Sequence, residues 1–496
     1  MPPRGCPPTR AGGDPARVSR PSRRSHAGAR VRKRPQGLVA LLLCLLSGCD
    51  LAPAYRKPAT PDIPASFKET GPWTPARPMD AGQRAWWSVM GDAGLNGLED
   101  RVAQGSPQLA AAVARYDQAR ALVRRARAEF FPEIDATASV QRERTLFTRG
   151  GTYFNYREYA AGGVVSWEPD IWGRIRNLVA AARADAQASA ADLAAVRLSL
   201  EAELGDDYFQ LRGLDARISL LRQTVTAYAA ALDLTTKRFT GGAASELDVG
   251  RAQTQLAATQ SLLDQQVGDR AVTEHAIAVL IGAQPSGFSI APVDDLAAPP
   301  VIPVTTPSRL LERRPDVAAA ERHMAAANAR IGVARAAFFP NITLGATGGS
   351  DTMTSALFSA GTGVWALGPA MATLAVFDGG RRFADLAQVH AEYAEAAAQY
   401  RQVALDAFRE VEDRLALLNH LADASARQGE AVSAAARTNR LATIQYREGA
   451  VDYLQVVIAQ TAELQAREDM ITINTRRLVT GIDLVRAMGG GWKDHA

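Results

Sequence analysis

The sequence has few residues that could carry out chemistry. It holds three cysteines in 496 residues, and Cys6 and Cys44 precede a predicted cleavage site, so Cys49 would stand alone in the mature chain. A disulfide framework or a cysteine zinc site within one chain is therefore excluded. The six histidines are scattered, without an HExxH motif. GxSxG and P-loop motifs are also absent. We predict no enzyme activity, no metal site and no cofactor other than a covalent lipid.

Proline is absent from residues 170–284 and again from 370–496. Because proline breaks helices, the first stretch predicts an almost continuous helix over 172–239, roughly 100 Å long at the usual rise per residue. Residues 381–446 predict a partner of similar length. Apolar residues recur every three or four positions in the first helix, as in a coiled-coil seam: Leu204, Tyr208, Leu211, Ile218, Leu221, Val225, Tyr228 and Leu232.

One nine-residue pattern occurs twice. ARAEFFPEI at 126–134 returns as ARAAFFPNI at 334–342, 208 residues later. FTGGAASEL at 239–247 aligns with YREGAVDYL at 446–454, 207 residues later. The recurring offset predicts a duplicated unit of about 200 residues, too long for a solenoid repeat. Within it, Phe-Phe-Pro ends a helix because proline disfavours the α conformation in the preceding residue.

After each Phe-Phe-Pro the apolar period becomes two, which predicts strands. We expect strands near 134–144, 156–168, 341–349 and 363–377, with turns at Gly151 and Gly361. Four strands cannot close a membrane barrel, whereas three copies would supply twelve. An outward aromatic face would then hold Tyr159, Val165, Trp167 and Trp365. The alternative is a soluble four-stranded sheet packed on helices.

The N-terminus predicts export and lipidation. An apolar run at 38–48 follows basic residues at 32–34 and ends in LSGC at 46–49. This pattern is typical of a signal peptide and resembles the bacterial lipobox, in which Cys49 is lipidated; the alternative is a buried helix with an ordinary cysteine.

Residues 1–30 predict a mis-called start, with Val31 as the true first residue. Removal of 1–48 turns the formal net charge from +4 to −5, which argues against a nucleic-acid partner.

Glycine turns follow both long helices, at Gly241-Gly242 and at Gly449. Ser245 and Asp452 are suited to cap the helices that return. We expect these returning helices over 247–281 and 454–488.

The sequence resembles the TolC-like outer-membrane efflux ducts, in particular the NodT/OprM-like lipoprotein subgroup. The motifs that carry the resemblance span residues 46 to about 488: LSGC at 46–49, WW at 86–87, FP at 131–132 and 339–340, WEPDIWGR at 167–174, LLERRPD at 310–316 and FDGGR at 377–381. The resemblance implies an α+β fold. By the resemblance, four strands per protomer and twelve per trimer would form a membrane-spanning β-barrel, which a coiled-coil helical tube would continue through the periplasm.

The resemblance also implies a passive channel of a tripartite efflux system, which exports small molecules. Its partners would be two further copies, a periplasmic adaptor, an inner-membrane pump of the RND type and outer-membrane lipid. Two alternatives remain: the duct of a type I protein secretion system, and a coiled-coil envelope lipoprotein scaffold. The expected location is the outer membrane, although Asp50 departs from the usual sorting pattern. We expect a signal peptide at 1–48, a lipid-anchored extended segment at 49–90, and duct repeats at 91–300 and 301–496.

By the same resemblance, the glycine turns form the periplasmic end of the tube. Adaptor contacts would be made by Gly241, Gly242, Ser245, Gly449 and Asp452. The periplasmic gate would consist of Asp248, Leu454, Gln455 and Ile458. Relatives commonly have acids at the positions of Gln455 and Ile458, so closure here is expected to depend on an apolar ring of Leu454 and Ile458. Ordinary coiled-coil contacts are the alternative role for these residues.

Overall fold

The computed structural model describes residues 51–57, 64–69, 86–147, 152–300, 302, 304, 306–353 and 363–490. The predicted signal peptide, Cys49, Asp50 and the turns at Gly151 and Gly361 lie outside the described residues. None of the helices in the described part is both long and apolar enough to cross a membrane.

The described residues form eight α-helices and four strands. The helices are α1 (Ala93–Gly105), α2 (Pro107–Ala128), α3 (Arg174–Thr240), α4 (Glu246–Leu280), α5 (Pro307–Arg313), α6 (Pro315–Ala336), α7 (Arg381–Arg447) and α8 (Tyr453–Ala487). The strands are β1 (Glu133–Phe147), β2 (Thr152–Trp167), β3 (Asn341–Thr352) and β4 (Gly363–Thr373). Short 3-10 turns occupy Trp86–Met90 and Pro285–Gly287.

The predicted duplication is visible element by element. Helices α2 and α6 each have 22 residues and start 208 positions apart. The long helices α3 and α7 each have 67 residues, and the returning helices α4 and α8 each have 35. Both of these pairs start 207 positions apart. The predicted long helices are thus confirmed to within two residues at each end.

The strands pair in the order β1-β2-β3-β4, and every pairing is antiparallel. Val165 lies opposite Ile134 on one side and Ala346 on the other, while Tyr159 lies opposite Val140. Trp167 lies opposite Leu344, and Trp365 lies opposite Gly348. Because directly paired residues share a face, the four residues predicted to share one face do so. Trp365 is 84% exposed.

The last strand is shorter than predicted. We expected it to continue to residue 377, but it ends at Thr373. The Arg382 guanidinium donates to the Asp378 carboxylate at 2.6 Å and to the carbonyl of Ala375. These bonds bend residues 374–380 into the turn that precedes α7, which prevents the chain from remaining extended.

The two tryptophans of the WEPDIWGR motif each contact one of the two Phe-Phe-Pro junctions. Trp172 Nε1 donates to the Pro340 carbonyl at 2.8 Å, and its ring stacks on Phe339 at 4.8 Å. Trp167 Nε1 donates to the Phe130 carbonyl at 3.0 Å. Each tryptophan therefore satisfies a backbone carbonyl in the junction between a helix and a strand.

The main core lies where α1, α3, α5, α7 and α8 meet. It includes the side chains of Trp86 and Trp87, which are 7% and 6% exposed, and the fully buried Leu310 of the LLERRPD motif. Arg314 of the same motif donates to Glu410 at 2.7 Å and to the Ala487 carbonyl at 3.1 Å. These two bonds hold the start of α6 against α7 and α8.

The glycine that follows each returning helix lies against the backbone of another segment. Gly282 has φ +71°, and a Cβ there would lie 2.1 Å from the Gly105 carbonyl oxygen. Its counterpart Gly489 has φ +87°, and a Cβ there would lie 2.2 Å from the Arg313 carbonyl oxygen. The duplicated unit therefore repeats a close contact that only glycine fits.

Gly282→Ala is expected to lower the free energy of unfolding by about 2 kcal/mol, because it combines a left-handed backbone with a backbone clash. Gly268→Ala in α4 is the matched control, since a Cβ there would meet open space; it should be neutral or stabilising by about 0.5–1 kcal/mol. Thermal unfolding in detergent measures both. Equal stability of the two variants would contradict the proposed close contact.

Candidate functional site

The two glycine turns lie together at one end of the molecule. Arg238, in the last turn of α3, donates to the Tyr446 carbonyl near the end of α7 at 2.6 Å. Its guanidinium also lies 4.7 Å from the centre of the Tyr446 ring, within the range of a cation–π contact. Arg238 therefore joins the end of α3 to the end of α7.

Both turns have the same backbone geometry. In the first, Gly242 has φ +77°, and the amide of Ala243 donates to the Arg238 carbonyl at 2.7 Å. In the second, Gly449 has φ +75°, and the amide of Ala450 donates to the Gln445 carbonyl at 2.8 Å. A left-handed glycine just after a helix satisfies the last carbonyls and reverses the chain. The predicted turns are confirmed, although their contact with an adaptor stays a prediction.

Ser245 and Asp248 form a capping box at the start of α4. The Ser245 hydroxyl accepts from the Asp248 amide at 3.2 Å, and the Asp248 carboxylate accepts from the Ser245 amide at 3.3 Å. Asp248 also pairs with Arg251 at 3.4 Å and is only 15% exposed at its side chain. The predicted gate acid is thus engaged within its own helix, where it satisfies free amides and has a cation beside it.

Asp452 caps α8, as predicted, by accepting from the Gln455 amide at 3.3 Å. Leu454 and Ile458 lie four residues apart, on the side of α8 opposite the buried Tyr453, Val456 and Ala459. Ile458 is 54% exposed. The structure thus brings the two predicted apolar gate residues onto one face of α8, where Leu454 is half-buried and Ile458 is exposed. Gln455 lies to the side of that face.

Aromatic residues that the sequence analysis did not single out support the two turns. The Tyr446 and Tyr453 rings lie 5.3 Å apart in a small buried cluster that also contains Ala252, Val456 and Ala459. Burial, with smaller contributions from Tyr446, Tyr228 and Asp248, raises the pKa of Tyr453 to about 12. Tyr453 is therefore neutral at physiological pH, and it supports the start of α8 beneath Leu454.

A groove of about 710 Å³ runs beside the turns, between α3, α4 and α8. Leu247 and Arg251 line it near the turns, and Leu262 and Leu464 line it further along. In the described part of the chain, histidine, cysteine, aspartate and glutamate form no group of three or more that could hold a metal ion.

The N-terminal segment lies along α6. The Leu51 carbonyl accepts from Arg335 at 3.2 Å, and the Pro53 carbonyl accepts from Asn328 at 2.8 Å. Further along the segment, the Tyr55 hydroxyl bonds to Glu321. Because α6 runs toward β3, residues 51–55 lead away from the sheet. The start of the segment is therefore at the sheet end of α6.

Comparisons with known proteins cover both repeats. The sequence model of the outer membrane efflux protein family matches residues 98–283 and 306–490. Outer membrane protein OprJ of Pseudomonas aeruginosa is 32% identical over 480 residues, which are 94% of this chain and 98% of OprJ. Cation efflux system protein CusC of Escherichia coli K12 is 29% identical over 450 residues, which are 90% of this chain and 97% of CusC.

The solved structure of the outer-membrane channel OprN is also similar. It superposes with a TM-score of 0.84 at 30% identity, and the match covers 90% of this chain and 100% of that chain.

Proposed function

This chain belongs to the outer membrane efflux protein family, and we propose that three copies form a passive channel through which an efflux pump exports small molecules. The observation that carries the proposal is a four-stranded sheet with an aromatic and apolar face, continued by 67-residue helices that end in paired turns. Such a helix is about 100 Å long, which suits a duct that extends from the outer membrane into the periplasm.

The three copies would close a barrel of twelve strands. In the protomer, β1 and β4 are the outer strands of the sheet, and open strand edges are not viable in a bilayer. Pairing of β1 with β4 of the next copy removes both edges. The face that carries Tyr159, Val165, Trp167 and Trp365 would then meet lipid.

The trimer is tested by native mass measurement in detergent. We expect a single species with the mass of three chains, because one chain supplies too few strands for a closed barrel. A stable monomer that conducts ions in a planar bilayer would refute the proposal.

The partners we propose are a periplasmic adaptor and an inner-membrane pump of the RND type. The turns with Gly241, Gly242, Ser245, Gly449 and Asp452 would meet the adaptor, and the adjoining groove offers it both apolar and charged side chains. CusC bears the name of a cation efflux system protein, whereas SilC of Salmonella typhimurium is named as an outer membrane lipoprotein. We therefore favour efflux over type I protein secretion and over a scaffold role.

We also propose that Cys49 carries a lipid and becomes the first mature residue, after removal of residues 1–48. Residues 49–90 would be the anchored segment, and 91–300 and 301–496 the two duct repeats. Cys49 is two residues before Leu51, a reach of at most about 7 Å. The lipid would thus be attached at the sheet end of α6, next to the membrane.

In cells fed a palmitate analogue, the wild-type protein should take up label and Cys49→Ser should lose it. The variant is still expected to form channels, because a closed barrel is held in the membrane by its own apolar face. Equal label in the two proteins would contradict lipidation at Cys49.

A further inference from the structure

Three arginines lie together on the aromatic and apolar face of the sheet. Tyr159 of that face lies directly opposite Val140, and alternate residues of a strand share a face. Towards the end of the strands that is away from the helices, the same face carries Arg142 and Arg144 on β1 and Arg157 on β2. All three side chains are exposed. We call these three residues the arginine cluster.

The acids of the same strands lie on the opposite face. Tyr156 lies opposite Glu143, and its hydroxyl donates to the Glu143 carboxylate at 2.7 Å. Glu158 and Asp351 belong to that face as well. Within the described strands, the face with the arginine cluster carries no acid, and the opposite face carries no arginine or lysine. The charges of the sheet are therefore separated by face.

Two members of the cluster face each other across the strand pair. Arg142 lies directly opposite Arg157, where Cβ atoms are about 5 Å apart and like charges are destabilising. Arg144 lies about 7 Å further along β1, with its guanidinium 4.2 Å from the centre of the Tyr153 ring, a cation–π contact. Because these cations repel one another, an anion bound between them would stabilise the strand pair.

The cluster lies about one membrane thickness from the helices. Trp167 is at the helical end of β2, and Arg157 is ten residues away on the same face. Ten residues span about 34 Å along a strand, or about 26 Å along the axis of a barrel whose strands tilt by about 40°. The apolar band of an outer-membrane barrel is about 25 Å tall. In the proposed barrel the cluster is therefore at the outer membrane–water interface.

Phosphate groups of lipids fit the cluster by charge, geometry and position. Guanidinium groups bind phosphate oxygens through paired hydrogen bonds, and basic clusters next to membrane-spanning elements recognise anionic lipid headgroups. The acyl chains of a lipid hold its phosphate at the interface, beside the outward face of the barrel. An anion inside the channel would instead meet the acidic inward face.

We propose that the arginine cluster binds the phosphate groups of a phosphorylated lipid in the outer leaflet, with Arg142 and Arg157 sharing one phosphate. Arg144, which Tyr153 holds in place, supplies a further contact. The inference rests on the proposed barrel and adds a lipid partner, the headgroup chemistry that is recognised and the residues that recognise it.

The binding is tested by native mass measurement in detergent with lipid A, a glucosamine lipid that carries two phosphates. The wild-type protein should bind lipid A at least about tenfold more tightly than the same lipid without its phosphates. Arg142→Gln/Arg157→Gln should bind the two lipids equally. The matched control Arg437→Gln/Arg440→Gln removes two exposed arginines from α7 and should bind lipid A as tightly as the wild-type protein does.

Thermal unfolding is the second arm. In lipid-free detergent, Arg142→Gln/Arg157→Gln should be at least as stable as the wild-type protein, because it removes a pair of like charges. Addition of lipid A should raise the unfolding temperature of the wild-type protein and of the control, but not that of the variant. A variant that is less stable without lipid would show that the two arginines support the sheet itself, which overturns the inference.

Equal binding of lipid A by the wild-type protein and by Arg142→Gln/Arg157→Gln also overturns it. Equal wild-type affinities for lipid A and for inorganic phosphate would assign the cluster to free anions instead of a lipid. If the wild-type protein is a conducting trimer and its binding does not depend on the lipid phosphates, this inference fails while the proposed channel stands. If the wild-type protein is not a trimer, the proposed function fails and this inference with it.

Discussion

Asp215→Ala is expected to lower the free energy of unfolding by about 3 kcal/mol, because it removes the buried carboxylate that two largely buried arginines share, of which Arg270 keeps its ion pair with Glu274. The Asp215 carboxylate accepts from Arg212 at 3.0 Å, from Arg270 at 2.6 Å and from the Val293 amide at 3.3 Å. The carboxylate is 1% exposed, and the two arginine side chains are 12% and 15% exposed.

The matched control is Asp233→Ala, which removes an acid from the same helix. Asp233 pairs with Lys237 on the surface, with side chains 62% and 73% exposed, and such a pair contributes about 0.5 kcal/mol or less. Thermal unfolding of both variants in detergent measures the difference. Equal stability of Asp215→Ala and Asp233→Ala would show that the Asp215 carboxylate does not hold α3, α4 and the segment after α4 together.

The Asp215 cluster also shows what the sequence analysis could not predict. Two of its three partners lie 55 and 78 residues away in the chain, so no local sequence pattern predicts the cluster. The duplication gives no hint either, because the position 207 residues later is Ala422. Arg238 is a similar case, since its partner Tyr446 is 208 residues distant.

The long helices and turns could be predicted because their determinants are local. The absence of proline allows the helices to continue, while Gly242 and Gly449 end them through a left-handed backbone. Ser245 and Asp452 then start the returning helices by capping free amides. The end of β4 was predicted wrongly because a side chain further along, Arg382, determines it through the Ala375 carbonyl.

The residues predicted to form the gate could be placed from the sequence, but their side-chain contacts could not. Their places near the turns follow from local sequence, and the structure puts the half-buried Leu454 and the exposed Ile458 on one face of α8. The capping role of Asp248 and its ion pair with Arg251 could not be predicted from the sequence, because they depend on side-chain geometry. That pairing places positive charge beside each Asp248, so a ring of three such acids would exert a weaker field than three isolated carboxylates.

Leu454→Ala/Ile458→Ala is expected to raise the single-channel conductance of the purified channel several-fold in a planar bilayer. In the proposed trimer, three copies of each side chain would narrow the pore at the turns, and apolar rings at a constriction favour dewetting. Removal of the larger side chains widens the constriction and lets water remain. Asp248→Asn should weaken cation preference and change conductance only modestly, because it removes negative charge but little volume.

Ile444→Ala is the matched control for the gate. Ile444 lies one turn from the end of α7 and is 49% exposed, much like Ile458 at 54%, but it is outside the predicted ring. Its removal should leave conductance unchanged if the ring, and not general loosening of the turns, closes the pore. A large opening by Asp248→Asn, with none from the apolar variants, would assign closure to charge. If none of these changes altered conductance or selectivity, the constriction would have to lie elsewhere along the helices.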